Sequence, residues 1–154
     1  ITGSILAKYE AAFAVIPLLV TFIPMLTDTG GNAGSQSSTM IIRGMAVGEI
    51  EAGDILRVLW KELRVGVIVG VLLGLVNYIQ LVIRFPGQEM LCLTVVLSLL
   101  ATVMLAKTIG CVLPIAAQVL HLDPAIMAAP LITTIVDAVS LIIYFQLACS
   151  LLKI

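Results

Sequence analysis

VGVIVGVLLGLVNYIQLVI, running from Val65 to Ile83, contains two amide side chains, Asn77 and Gln80, and no charge. A helix rises 1.5 Å per residue and needs about 20 residues to cross a hydrocarbon layer of about 30 Å, so this run is a membrane span held between Arg64 and Arg84. Lipid offers backbone groups no hydrogen-bond partner, which leaves helices or closed barrels as spanning structures. The apolar residues here are continuous and do not alternate, and that selects the helix. The rest of the chain agrees: of 154 residues 61% are hydrophobic and 11% charged, the formal net charge is −1, and the mean hydropathy is +1.21. A soluble domain has about 45–50% apolar and about 25% charged residues, so a soluble globule, a disordered chain and a nucleic-acid binder are excluded. The length allows at most about five crossings.

Working outward from that span, Arg84-Phe85-Pro86-Gly87-Gln88-Glu89 reads as a turn. Residues 89–120 form a further span, interrupted by Lys107, Gly110 and Pro114. His121-Leu122-Asp123-Pro124 breaks it, with Asp123 as N-cap and Pro124 at the first helical position of a last span over 124–153. On the N-terminal side, 48–64 is the most polar stretch and reads as a cytoplasmic loop or interfacial helix with Trp60 at headgroup level. Residues 11–47 read as a second helix interrupted by glycine. Residues 1–10 are too short to span and read as the end of a first helix that begins earlier, with no signal-peptide pattern. The expectation is therefore an all-α, multi-pass membrane domain covering 1–154.

Counting basic residues gives the orientation. Arg43, Arg57, Lys61 and Arg64 lie on one side against Lys8, Arg84 and Lys153 on the other, which puts the 48–64 segment in the cytoplasm and the C-terminus outside. Cys92, Cys111 and Cys149 lie in apolar runs with no metal-like spacing and read as small buried hydrophobes. His121 reads as an interfacial residue. Gly66, Gly70 and Gly74 make a small-residue face for close helix packing, either within the chain or between subunits. No nucleophile–base pair suggests an enzyme, and no internal repeat suggests an inverted-repeat transporter.

Two features carry chemistry. Asp137 stands 13 residues after Pro124 and 15 before Leu152, close to the middle of its span. A charge there costs about 2.5–3.5 kcal/mol or more, so it must face the bundle interior or a wet passage. It is either ion-paired with Lys107 or a cation or proton site. The second feature is Thr29–Thr39, eleven small or polar residues in a row, which is either an extramembrane loop or a stretch of backbone opened for ligands. Oxygen donors with a single carboxylate suit Mg²⁺, which keeps several of its waters. Soft metals would call for Cys, Met or His clusters.

The pairing of Pro24…Gly30-Gly31-Asn32-Ala33-Gly34-Ser35-Gln36 with Asp123-Pro124-Ala125…Pro130-Leu131-Ile132-Thr133-Thr134-Ile135-Val136-Asp137 resembles the transmembrane domain of the MgtE-type magnesium transporters and channels. The resemblance implies a five-helix bundle with its first helix mostly upstream, a homodimer in the cell membrane, and one pore on the dimer axis lined by the second and fifth helices. It implies that Asp137 faces a hydrated Mg²⁺ and that oxygens of Gly30, Gly31, Asn32, Ala33, Gly34, Thr133 and Thr134 complete the shell. It also implies cytosolic regulatory domains upstream. The function expected is Mg²⁺-selective conduction, with Mg²⁺ as the transported and bound ion; the alternative is a proton-coupled transporter of another substrate, with Asp137 carrying the proton and Lys107 or Asp28 relaying it.

Overall fold

The computed structural model describes residues 2–127 and 129–153; Ile1 and Ala128, which fall within the expected first and last helices, and Ile154 lie outside the described residues. Helices α1 (Thr2–Lys8), α2 (Glu10–Val15) and α3 (Leu18–Thr21) lead into α4 (Ile23–Ala46). A 3-10 turn, Ala52–Asp54, opens α5 (Ile55–Arg84), which is followed by α6 (Glu89–Val119), a second 3-10 turn at Pro124–Met127, and α7 (Ala129–Leu152). Three segments are long and apolar enough to cross a membrane: Ala52–Arg84, Glu89–Val119 and Pro130–Leu152. The all-α membrane bundle read from the sequence is the fold observed.

The interruption expected within 11–47 lies elsewhere than at the glycines. Pro17 has no N–H to donate, and the chain turns there through Leu19 N–H to Ile16 O (3.1 Å) and Phe22 N–H to Leu19 O (3.3 Å) before α4 begins. From Ile23 the helix runs unbroken through Gly30, Gly31 and Gly34. Glycine is a poor helix former in isolation, but here it brings backbones together. A Cβ on Gly30 would lie 2.6 Å from Thr102 Cγ2 and 2.9 Å from Val136 Cγ1; one on Gly34 would lie 2.9 Å from Ile132 Cγ2. Close packing against α6 and α7 holds the helical form that local composition disfavours. α4 ends where Gly48 adopts φ +75°, with Glu49 N–H donating back to Gly44 O at 2.8 Å.

The 48–64 segment is also more helical than expected. Its loop ends at Asp54, and Ile55–Arg64 forms the first turns of α5, continuous with the 65–84 span. Ile55, Val58 and Leu59 pack on Ile41, Cys111 and Ile115, so those turns have an apolar face that fixes them to the bundle. The outer side, with Leu56 and Trp60, is exposed, and Arg64 sits over the Trp60 ring, as suits a headgroup-level segment.

α6 is the centre of the bundle, touching α4, α5 and α7, while α5 leans on α6 and leaves Ile68, Leu72, Leu75 and Val76 exposed for lipid. Gly66, Gly70 and Gly74 all face α6, meeting Lys107, Leu100 and Val96 respectively, so this small-residue face serves packing within the chain. The core falls into successive layers. Leu26, Val95, Leu141 and Tyr144 belong to one, Ala33, Val103, Ala106, Ile132 and Val136 to the next, and Ile41, Cys111 and Ile115 to the third. Residue numbers rise together along α4 and α6 and fall along α5 and α7, so the two pairs run in opposite directions.

Candidate ion site

The break around Pro17 sets the start of α4, and its first turns present Pro24, Thr27, Asp28, Gly31 and Asn32 at three- and four-residue spacing, which places them on one face. α7 runs antiparallel beside it and contributes Thr133 and Asp137, four residues apart. These seven residues line one open cavity of about 360 Å³. At its narrowest point α4 has no side chain. A Cβ on Gly31 would lie 3.2 Å from Thr133 Cγ2 and 3.9 Å from Asp137 Oδ1, so the missing methyl group leaves room directly beside the carboxylate.

Of the residues expected at an ion site, the structure brings Gly31, Asn32, Thr133 and Asp137 together. Gly30 and Gly34 are buried against α6 and α7, Ala33 sits in the central apolar layer, and Thr134 is exposed, with its hydroxyl donating to Pro130 O at 2.8 Å. Thr133 donates to the same carbonyl at 3.1 Å, which leaves lone pairs of both hydroxyls available. Because α4 is a continuous helix, the carbonyls of its glycine stretch already accept helical hydrogen bonds; any further role for them uses the second lone pair of each oxygen. Sequence reasoning passes over Asp28 as a lining residue, although its i+3 and i+4 neighbours, Gly31 and Asn32, place it on the same face.

The cavity offers two carboxylates, an amide and a hydroxyl, all hard oxygen donors. Among the described residues no three His, Cys, Asp or Glu side chains come together as a metal cage. Such a sparse set cannot replace a full hydration shell, but it can hold a divalent cation through its waters. Asp28, Asn32 and Gln36 continue as an exposed polar row on α4, a face unsuited to lipid.

Lys107 is not the partner of Asp137. Its ammonium group lies 3.2 Å from Glu62 Oε2 and donates to Ser37 Oγ at 3.1 Å, with Ser37 in turn donating to Glu62 Oε2. That engagement removes both the ion pair with Asp137 and the relay through Lys107. Glu62 belongs to the segment expected outside the membrane, yet only 4% of its surface is exposed, and 5% of that of Lys107. The sequence does hold the signal: Glu62, Gly66, Gly70 and Gly74 form one row at four-residue spacing, and all four are buried.

A polytopic helical bundle with an oxygen-lined, carboxylate-bearing cleft between two antiparallel helices defines a membrane transport protein for cations. A sequence profile of the MgtE family, described as a divalent cation transporter, matches residues 23–147, and the chain belongs to that family, a family of transporters and not of enzymes. It is 35% identical over 153 residues to the magnesium transporter MgtE of Thermus thermophilus, covering 99% of this chain and 34% of that protein. It is 35% identical over 148 residues to the magnesium transporter MgtE of Bacillus subtilis, covering 96% and 33%, and 29% identical over 153 residues to that of Enterococcus faecalis, covering 99% and 33%. The chain thus spans about a third of the length of these relatives.

Proposed function

We propose that the chain carries Mg²⁺ across the membrane, with a hydrated ion passing between α4 and α7 and held at Asp137. The observation that carries this reading is the single cleft in which Asp28, Gly31 and Asn32 of α4 meet Thr133 and Asp137 of α7. Asp137 supplies charge, Asn32 and Thr133 orient the ion's waters, and Gly31 leaves space for the hydrated ion, whose first shell is given up reluctantly.

The cleft is open on one side, and the exposed Asp28–Asn32–Gln36 row lies along it. A second copy of the chain, related by a two-fold axis, would close it into a pore and pair the carboxylates around one ion. Arg43, Arg57, Lys61 and Arg64 all line a separate cavity of about 670 Å³ at the α4–α5 end, which supports placing that end in the cytoplasm and the C-terminus outside. The remaining two thirds of the relatives' length leaves room for upstream cytosolic domains that regulate the pore.

The test is Mg²⁺ flux into liposomes for the wild type and Asp137→Ala. The variant is expected to lose saturable flux; an unchanged rate and unchanged concentration dependence would end the proposal.

A further inference from the structure

Among the described residues, the side-chain hydrogen bonds that tie α4 to another helix all pass through Ser37. Thr27 and Thr39 bond to carbonyls of α4 itself, and the neighbouring buried hydroxyls of Ser38 and Thr102 have no partner. Ser37 instead closes a three-membered ring with Glu62 of α5 and Lys107 of α6. The ring lies between the central apolar layer and the next, at residue 37 of α4 and residue 107 of α6.

Rotation of α4 decides what faces Asp137. Successive residues of a helix differ by about 100°, so a small turn about the axis would carry Asp28, Gly31 and Asn32 out of the cleft together. The other contacts of α4 resist such a turn poorly. Gly30, Gly31 and Gly34 present smooth backbone to α6 and α7, and contact between small residues allows close approach without specifying a register. Hydrogen bonds are directional and weaken steeply when misaligned. In a dry interior, a hydroxyl bound to both members of an ion pair is therefore the device that fixes rotation.

We propose that Glu62 and Lys107 are a positioning pair for ion passage, acting through Ser37 to hold α4 at the rotation that keeps Asp28, Gly31 and Asn32 facing Asp137. Neither residue touches the ion. The pair is not needed for the fold, because well-packed apolar groups often replace a buried ion pair without loss of stability. The proposal rests on the ion path set out above.

The experiment compares Mg²⁺ uptake into liposomes, as a function of Mg²⁺ concentration, for the wild type, Glu62→Met/Lys107→Met, Ser37→Ala and Asp137→Ala, with thermal midpoints measured on each. The double variant is expected to keep its midpoint and maximal flux while its half-saturating Mg²⁺ rises by roughly tenfold or more, the scale on which loss of an outer supporting partner weakens a metal site. Ser37→Ala keeps the ion pair and cuts only its link to α4, so it decides the matter should the double variant not fold; its half-saturating Mg²⁺ rises as well. A wild-type half-saturation in either folded variant, beside an Asp137→Ala that has lost flux, overturns the positioning role. An Asp137→Ala with wild-type flux overturns the ion path instead.

Discussion

The carbonyl oxygen of Gly34 on α4 occupies the place where a side chain on Gly110 of α6 would begin, and the Ser37 Cβ lies 3.1 Å from the same point. The two helices are in backbone contact at this crossing, one turn before Pro114, whose missing N–H frees the Gly110 carbonyl from its helical partner. Gly110→Ala must separate α4 from α6. Overpacking of this kind costs about 1–3 kcal/mol, and more where backbone is the obstacle. Thermal unfolding in detergent is expected to show a clear fall in midpoint for Gly110→Ala and no change for Gly53→Ala, whose Cβ would meet nothing within 4 Å.

Gly31 makes a subtler demand. A methyl group there would press on Thr133 Cγ2 at 3.2 Å, a contact that Thr133 relieves by moving towards Asp137. Gly31→Ala is expected to reduce Mg²⁺ flux several-fold with little loss of stability. Thr133→Ser removes the methyl group it meets and keeps the hydroxyl, so the double variant should recover part of the flux. Flux values that simply combine, with no interaction between the two sites, would show that Gly31 and Thr133 do not share a passage.

What can be read from the sequence divides along physical lines. Val65–Ile83, the turn at Arg84–Glu89 and the 89–120 span follow from hydropathy and turn residues, which are local, and α6 ends at Val119 as expected to within a residue. Asp123 caps the following turn, accepting Ala125 N–H at 2.9 Å. The glycine stretch of α4 misleads because Gly-Gly-Asn and a run of serines carry the composition of a loop; only close packing against α6 and α7, a tertiary effect, makes them helical. Glu62 is hidden because its neighbours Lys61 and Arg64 suggest a solvated segment, although its four-residue spacing to Gly66 marks the buried face. Asp137 stands out because a lone acid in the middle of an apolar span is costly to bury unless water or a cation reaches it.

Tyr144 and Leu19 connect the broken start of the chain to α7. The Tyr144 hydroxyl donates to Leu19 O at 2.9 Å, where the interrupted helix leaves a carbonyl without its regular partner, and both residues are fully buried. Tyr144→Phe keeps the ring and its packing against Phe145 but leaves that carbonyl with only the long bond from Phe22 N–H. The expected cost is about 0.5–1.5 kcal/mol, read as a lower thermal midpoint with Mg²⁺ flux per folded protein unchanged.

Removing one member of the buried ion pair differs from removing both. Glu62→Leu leaves the Lys107 ammonium in an apolar interior, at a cost of about 3–5 kcal/mol, whereas apolar replacement of both is close to neutral. Thermal midpoints are expected to fall sharply for either single variant and return with the double. Equal losses for single and double variants would mean that the two charges are not coupled.

Mg²⁺ itself should stabilise the fold. Asp28 and Asp137 line one cavity, and like charges sharing a low-dielectric site oppose each other until a cation lies between them. A ligand that binds only the folded state adds RT ln(1 + [L]/Kd), about 2.7 kcal/mol at a hundred times the dissociation constant. Raising Mg²⁺ is expected to lift the thermal midpoint along that logarithmic course, and substitution of Na⁺ at matched ionic strength is expected not to. Asp137→Asn removes the repulsion between the two carboxylates and most of the binding, so its midpoint without Mg²⁺ should equal or exceed that of the wild type, while its response to Mg²⁺ should flatten. A variant that responds to Mg²⁺ as the wild type does would place the stabilising ion somewhere other than beside Asp137.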